Sequence, residues 1–120
     1  MTHILAVDDS PSMRDMVRIA LSTAGFEVTQ AADGQEALDL ARTRAFDLVL
    51  SDVNMPRMDG IALIRALRAE ASYRHTPILM LTTESTVERK REGKDAGATG
   101  WIVKPFDPAQ LVATMQRVLR

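Results

Sequence analysis

Near its start the chain carries the stretch Ile4-Leu5-Ala6-Val7-Asp8-Asp9-Ser10-Pro11, in which a short apolar run passes directly into two aspartates and a helix start. Consecutive apolar residues are typical of a strand that is buried on both faces of a parallel sheet. Ser10 followed by Pro11 is a common helix beginning, since serine accepts from free amide groups and proline suits the first turn. The stretch therefore predicts a strand, an acidic loop and a helix in succession.

The same alternation continues along the chain. Strand-like apolar runs are predicted at residues 4–7, 27–31, 48–51, 78–81 and 99–103. Segments of helical periodicity lie between them, with helix starts predicted at Ser10, Asp33, Asp59, Ser85 and Asp107. Glu36 stands three residues after Asp33, which is the spacing of a capping box. The alternation predicts an α/β fold, a doubly wound five-stranded parallel sheet with five helices on its two faces.

Composition excludes several classes of protein. The 120 residues contain no cysteine, so disulfides, thiolate metal sites and cysteine nucleophiles are excluded, and a cytoplasmic location is expected. The 15 basic and 16 acidic residues nearly balance, so we expect no nucleic-acid binding through bulk charge. The apolar runs are far shorter than the roughly 20 residues that span a bilayer, so membrane insertion is not expected. The first residues lack a signal-peptide pattern, and the chain is expected to start at Met1.

Acidic side chains are predicted to gather at one edge of the sheet. Asp8 and Asp9 follow the first strand and Asp52 follows the third, and ligands of such sheets bind outside the carboxyl ends of the strands. Two carboxylates about 4 Å apart repel by about 4 kcal/mol at an effective dielectric of 20. A raised pKa or a hard divalent cation could offset this, and Mg²⁺ prefers a few carboxylates with water. The alternative is that each aspartate is a solvated helix cap.

Two further strand ends carry polar groups that suit an anionic ligand. Lys104 follows the fifth strand, where its ammonium could neutralise the aspartates or contact a phosphoryl oxygen, although it could also be a surface lysine. Thr82 and Thr83 end the fourth strand and offer hydroxyl donors. His3 and His75 have no partner at a metal-ligand spacing, so both are predicted to be surface or structural residues.

Four motifs together resemble the response regulator receiver domain. They are Asp8-Asp9-Ser10, Asp52-Val53-Asn54-Met55-Pro56-Arg57-Met58-Asp59-Gly60, Thr82-Thr83-Glu84 and Lys104-Pro105-Phe106. The resemblance covers the whole chain and is strongest to single-domain chemotaxis regulators of the CheY type. It implies one receiver domain over residues 1–120, with the flavodoxin-like strand order 2-1-3-4-5.

The resemblance also implies roles for the residues of the acidic edge. Asp52 would be the phosphoacceptor, which attacks a phosphohistidine on a sensor histidine kinase. Asp9 and Asp52 would ligate Mg²⁺ with the backbone carbonyl of Asn54, and Asp8 would hold a coordinated water. Lys104 and Thr82 would contact the phosphoryl oxygens, and the Lys104–Pro105 bond would be cis. The chain would then be a signalling switch and not an enzyme that acts on a separate substrate.

The resemblance further implies a switch between Thr82 and Trp101. When Thr82 moves toward the phosphoryl group, Trp101 would rotate inward and change the face formed by the fourth helix, fifth strand and fifth helix. The alternative is that Trp101 is a partly buried packing residue. The fourth helix has almost no apolar face, which suits a movable element. Asn54 and Glu84 occupy the positions that tune phosphate lifetime, and their identities imply a short-lived phosphoryl group.

The implied partners are a sensor histidine kinase as phosphodonor and a downstream protein target such as the flagellar motor switch, with the chain acting as a monomer.

Three alternatives remain open. The chain could be a receiver excised from a larger regulator. A Mg²⁺-dependent phosphohydrolase with an aspartyl nucleophile usually has a second carboxylate where this chain has Asn54, and a cap domain that 120 residues cannot hold. A flavodoxin-like nucleotide binder would need a glycine-rich first loop, and no G-x-G-x-x-G occurs here.

Overall fold

The computed structural model describes residues 1–83 and 86–119 of the chain. The strands in these residues are β1 His3–Val7, β2 Glu27–Ala31, β3 Leu48–Ser51, β4 Ile78–Thr82 and β5 Gly100–Val103. The α-helices in the same residues are α1 Pro11–Thr23, α2 Gly34–Thr43, α3 Gly60–Arg68, α4 Val87–Ala96 and α5 Pro108–Val118, and a short 3₁₀ helix covers Ala71–Tyr73. The predicted alternation of strands and helices is confirmed.

The five strands form one parallel sheet in the order β2-β1-β3-β4-β5. Both the α/β class and the predicted strand order are therefore confirmed. The central strands β1, β3 and β4 are buried almost throughout, whereas the edge strands β2 and β5 are only partly buried. The reason is that a central parallel strand is covered by helices on both faces, which also explains its continuous apolar sequence.

Two apolar clusters cover the two faces of the sheet. One cluster packs α2, α3 and the buried end of α4 against strand residues such as Leu5 and Val49. The other packs α1 and α5 against their strand neighbours Ile4 and Leu48. Neighbouring strand residues serve opposite clusters because side chains alternate between the two faces of a strand. The sheet is doubly wound, as predicted.

Polar caps define the helix starts in the described residues. Ser10, Asp33, Asp59 and Asp107 each accept a hydrogen bond from a backbone amide of the first turn, as predicted. The fourth helix differs, because its cap is Thr86, which accepts from the amide of Arg89. The predicted cap Ser85 is therefore off by one position, and Ser85 itself lies outside the described residues. Either hydroxyl could cap a helix that has so little apolar periodicity to mark its first turn.

Two local details also differ from expectation. Glu36 does not complete the capping box on Asp33 itself, since its carboxylate accepts from the amide of the preceding residue, Ala32. Strand β5 begins at Gly100 and not at Thr99, whose hydroxyl accepts from the Ile78 amide. Among the described residues, no helix combines the length and the apolarity that crossing a bilayer requires.

Candidate functional site

The carboxyl ends of β1, β3, β4 and β5 lie side by side and place their following residues at one edge of the sheet. The amide of Asp52 donates to the Val7 carbonyl over 2.9 Å, and the amide of Lys104 donates to the Thr82 carbonyl over 2.9 Å. These bonds continue the strand pairing for one more residue. Asp52 and Lys104 are therefore placed by the backbone hydrogen bonds of the sheet.

Three carboxylates meet at this edge. One oxygen from each of Asp8, Asp9 and Asp52 lies within 4.8 Å of the others. Asp8 is buried, Asp52 is partly buried and Asp9 is exposed, so the cluster is covered on one side and open to solvent on the other. Such a cluster is accessible to a small ligand from one direction.

Lys104 neutralises part of this charge. Its Nζ lies 2.6 Å from Oδ2 of Asp8 and 3.3 Å from Oδ2 of Asp52, and its side chain is only 10% exposed. Burial by itself lowers the pKa of the Lys104 ammonium, but the carboxylates of Asp8 and Asp52 outweigh this effect and raise the pKa above its ordinary value. The lysine is thus held in its charged form beside the carboxylates.

Hydrogen bonds fix the orientation of the Asp52 carboxylate. Its Oδ1 accepts from the Val53 amide over 2.7 Å, while its Oδ2 faces Lys104. The side chain is 13% exposed. An oriented and partly exposed carboxylate beside a cation has the placement that a nucleophile toward phosphorus requires.

Asp8 is held from the loop that follows it. Its Oδ1 accepts from the Ser10 amide over 2.9 Å, and its carbonyl accepts from Nη1 of Arg14 over 2.6 Å. Sequence reasoning missed Arg14, which lies on the predicted helix α1 but gives no local signal that its side chain turns back toward the acidic loop. Its guanidinium adds a second cation beside the site.

The donor set fits Mg²⁺. This ion takes six oxygen ligands at about 2.0–2.1 Å, so its ligand oxygens lie about 3–4 Å apart. The three aspartate oxygens lie within 4.8 Å of one another, so a coordinated water or a small inward movement brings them into range. All three are hard carboxylate oxygens, which suit Mg²⁺ better than a softer transition metal.

The remaining predicted site residues are placed around this cluster. Thr82 is buried at the end of β4, and its carbonyl is paired with Lys104. Asn54 is exposed, two residues beyond Asp52 on the loop that leads to α3. The Lys104–Pro105 bond is cis, as the resemblance implied. Glu84, the second predicted lifetime residue, lies outside the described residues.

Trp101 lies on β5, and its ring packs against α4. A Cβ atom at Gly93 would lie 2.8 Å from Cζ3 of Trp101, so the indole occupies the space beside this glycine. The ring is half-buried and lines a groove together with Lys90, Lys94, Ala98, Thr99 and Gly100. The tryptophan therefore already contacts the helix that the predicted switch would alter.

An ion pair between the β3–α3 loop and the start of α2 also escapes sequence reasoning. Arg57 donates to Asp33 through Nε over 2.9 Å and through Nη2 over 3.0 Å, although the two residues lie on different loops. The sequence identifies Asp33 only as a helix cap. The pair cannot be read from the sequence because its partners are separated by 24 positions.

His3 has a structural role at the beginning of β1. Its Nε2 lies 2.6 Å from Oγ1 of Thr29, and its ring contacts Phe46 edge-on with centroids 4.8 Å apart. These contacts tie the beginning of β1 to its neighbours at the end of the sheet opposite the acidic cluster. The prediction of a surface or structural histidine is met at this position.

The fold and the acidic edge together define a doubly wound, flavodoxin-like α/β domain with a carboxylate cluster at the carboxyl ends of its strands. The chain belongs to the response regulator receiver domain family, whose model matches residues 4–116. It is 42% identical over 116 residues to chemotaxis protein CheY-3 of Vibrio cholerae, which covers 96% of this chain and 89% of that protein. The CheY4 structure of Vibrio cholerae is 56% identical, with a TM-score of 0.95 and 98% of both chains covered. The chain is thus close to single-domain regulators of the chemotaxis type.

Two further comparisons bear on the site and on the extent of the protein. The receiver domain of sensor histidine kinase PA1611 from Pseudomonas aeruginosa is 31% identical, with a TM-score of 0.92 and coverage of 98% of this chain and 97% of that one. That structure has a magnesium ion coordinated in its active-site cleft. The chain also matches transcriptional regulators at 37% identity, and it spans about half of their length.

Proposed function

We propose that this chain is the phosphoacceptor switch of a two-component system, and that Asp52 accepts the phosphoryl group from a phosphohistidine of a sensor histidine kinase. The convergence of Asp8, Asp9 and Asp52 beside Lys104 carries this proposal. In the transfer, an oxygen of Asp52 attacks phosphorus. The new P–O bond forms as the P–N bond breaks, and the imidazole leaves with the electron pair of that bond.

Each residue of the cluster has a role in this transfer. Asp9 and Asp52 hold Mg²⁺ with the backbone carbonyl of Asn54, and Asp8 holds a coordinated water. The bound ion neutralises the phosphoryl oxygens, which is the main requirement of phosphoryl transfer. Lys104 supplies a second positive charge. Its ammonium replaces one of its carboxylate contacts with a contact to a phosphoryl oxygen. The chain assists its own phosphorylation and dephosphorylation and acts on no separate substrate.

The output is a change in partner binding. Thr82 bonds the phosphoryl group, and Trp101 follows it inward and alters the face formed by α4, β5 and α5. The exposed Val103 and the basic Lys90 and Lys94 lie in or beside this face and suit a protein target with acidic and apolar groups. The similarity to chemotaxis proteins supports a role in chemotaxis with the flagellar motor switch as target.

Two finer points complete the proposal. Asn54 and Glu84 set a short phosphate lifetime. Residues 1–120 form one receiver domain that acts in the cytoplasm as a monomer, without nucleic acid as a partner. The transcriptional regulators of about twice this length support the alternative of a receiver within a larger regulator.

The test is phosphorylation by a small phosphodonor with Mg²⁺, followed by the mass of the intact protein. Wild type and Asp15→Asn should each gain one phosphoryl group, while Asp52→Asn should gain none. Asp15 is a matched control because it is an exposed aspartate on α1 that pairs only weakly with Arg18. Equal gain in wild type and Asp52→Asn would contradict the assignment of the phosphoacceptor. Trp101 fluorescence in the same samples should change only where the mass changes.

A further inference from the structure

The loop between β3 and α3, residues 52–59, carries the Asn54 carbonyl that the proposed function assigns to Mg²⁺. In the part of the chain that the structure describes, the Met58 amide donates to the Pro56 carbonyl and the Gly60 amide donates to the Val53 carbonyl, and both bonds shape this loop from within. Arg57 and Met58 lie three and four residues after Asn54 on the same short loop, so contacts that hold them bear on the position of the Asn54 carbonyl.

Arg57 holds the loop from outside. Among the described residues it is the only non-glycine residue with a positive φ, at 65°, a conformation that side chains other than glycine, asparagine and aspartate rarely adopt. Its guanidinium makes two parallel hydrogen bonds to the carboxylate of Asp33. This carboxylate is itself fixed, because it is buried and its Oδ1 caps α2 by accepting from the Glu36 amide over 2.9 Å. The β3–α3 loop is thus attached to the first turn of α2 through a carboxylate that is itself held by the helix.

A second contact joins the same two segments. The Gly34 amide donates to the Met58 carbonyl over 3.0 Å. A Cβ atom at Gly34 would collide with that carbonyl, so this close approach requires glycine. The ion pair and the backbone bond lie on adjacent residues of both segments, and together they bring the loop against the first turn of α2.

We propose that Arg57 is a positioning residue, which with Asp33 clamps the β3–α3 loop to the start of α2 and so holds the Asn54 carbonyl in place for Mg²⁺. This inference rests on the proposed function. When the positive charge of Arg57 is removed, a clamp and a simple charge effect predict opposite changes in Mg²⁺ affinity. Removing a positive charge near a cation site should strengthen Mg²⁺ binding by Coulomb attraction, whereas releasing the loop should weaken it.

The test is isothermal titration of Mg²⁺ into wild type and variants, with thermal melts to confirm folding. We expect Arg57→Ala to bind Mg²⁺ about tenfold more weakly, by analogy with other residues that orient metal ligands. Arg57→Gly should bind weakly too, although glycine adopts a positive φ without cost, because it lacks the ion pair. Arg57→Lys should fall between wild type and Arg57→Ala, since lysine retains the charge but not the paired geometry. Unchanged or tighter binding by Arg57→Ala, or wild-type affinity in Arg57→Gly, would overturn the clamp.

The matched control is Arg42→Ala. Arg42 also forms an exposed ion pair, with Nε 2.6 Å from Oε1 of Glu70, but it lies at the far end of α2. The Arg42→Ala variant should bind Mg²⁺ with the affinity of wild type. Hydrogen exchange without metal gives a separate readout, in which the Gly34 amide should exchange faster in Arg57→Ala than in Arg42→Ala. Equal exchange rates would reject the clamp, while failure of wild type to bind Mg²⁺ would reject the metal site and with it the proposed function.

Discussion

Lys104 illustrates how one residue stabilises a site that would otherwise repel itself. Its ammonium contacts Asp8 and Asp52, and its pKa is raised by these carboxylates against the opposing effect of burial. A group whose pKa is higher in the folded state stabilises the fold below its unfolded pKa, and this contribution is lost as the pH rises through the folded value. The contribution of Lys104 is therefore fully present at neutral pH and disappears only under strongly alkaline conditions.

The pKa of Asp33 is lowered where that of Lys104 is raised, and this shift leads to a prediction. The backbone amide of Glu36 is the main cause that lowers the pKa of its carboxyl below the ordinary 3.8, and Arg57 adds to this against the effect of burial. Its ionised form therefore stabilises the fold above about pH 4, and this contribution is lost as the pH falls through the folded pKa.

We expect Asp33→Asn to lower the free energy of unfolding at neutral pH by up to about 1 kcal/mol, because the asparagine oxygen keeps the helix cap while the ion pair is lost. The difference from wild type should shrink as the pH falls below about 4. Urea unfolding of both proteins over a pH series measures this. A difference that stays constant into the acid range would show that the ionisation of Asp33 does not matter.

Among the described residues, α4 is the α-helix that contributes least to the apolar core. Within Val87–Ala96 only Gly93 and Ala96 are buried, and Val87 is 68% exposed. Its C-terminal end is nevertheless held, because Arg68 donates to the Gly97 carbonyl through Nε over 3.0 Å and through Nη2 over 2.9 Å. The helix is thus anchored at one end and weakly packed along the rest, which is the arrangement expected of a movable element.

The contact between α4 and Trp101 yields the next prediction. Gly93→Ala should gain about 1 kcal/mol from helix propensity. The added methyl group would lie 2.8 Å from Cζ3 of Trp101, so the indole must move outward. We therefore expect little net change in stability but a red shift in tryptophan emission. The exposed Arg91→Ala in the same helix should leave the emission unchanged, and an unshifted spectrum in Gly93→Ala would contradict the packing of the ring.

At the scale of the whole molecule, one sheet joins two apolar clusters. Leu63 of α3 belongs to one cluster and Leu111 of α5 to the other, and both are essentially fully buried. Because each strand contributes side chains to both clusters, neither layer can lose its packing without exposing the other face of the sheet. The two layers should therefore unfold together.

We expect Leu63→Ala and Leu111→Ala each to lower the free energy of unfolding by about 2–5 kcal/mol, the usual cost of such a truncation. In both variants, circular dichroism and Trp101 fluorescence should report the same single transition in urea. Two separated transitions in either variant would mean that the clusters are independent.

Much of the fold could be predicted because its signals are local. Apolar runs mark the strands, and a serine or aspartate marks most helix starts, as at Ser10 and Asp59. The wrong prediction of Ser85 as the cap of α4 shows the limit of such signals, because the next residue, Thr86, also carries a hydroxyl that suits an N-cap. Asp8, Asp9, Asp52 and Lys104 could also be placed together, because the carboxyl ends of parallel strands share one edge.

The amino-acid order alone thus determined the alternating elements, the doubly wound sheet and the acidic edge, since each follows from short-range patterns or from a general rule of parallel sheets. Only the tertiary structure decided three contacts. Arg57 pairs with Asp33, the Arg14 side chain donates to the Asp8 carbonyl, and the Trp101 ring packs against Gly93. These contacts join residues from different elements. Their existence depends on how the helices and loops pack and on the backbone angle at Arg57, and no local pattern encodes either.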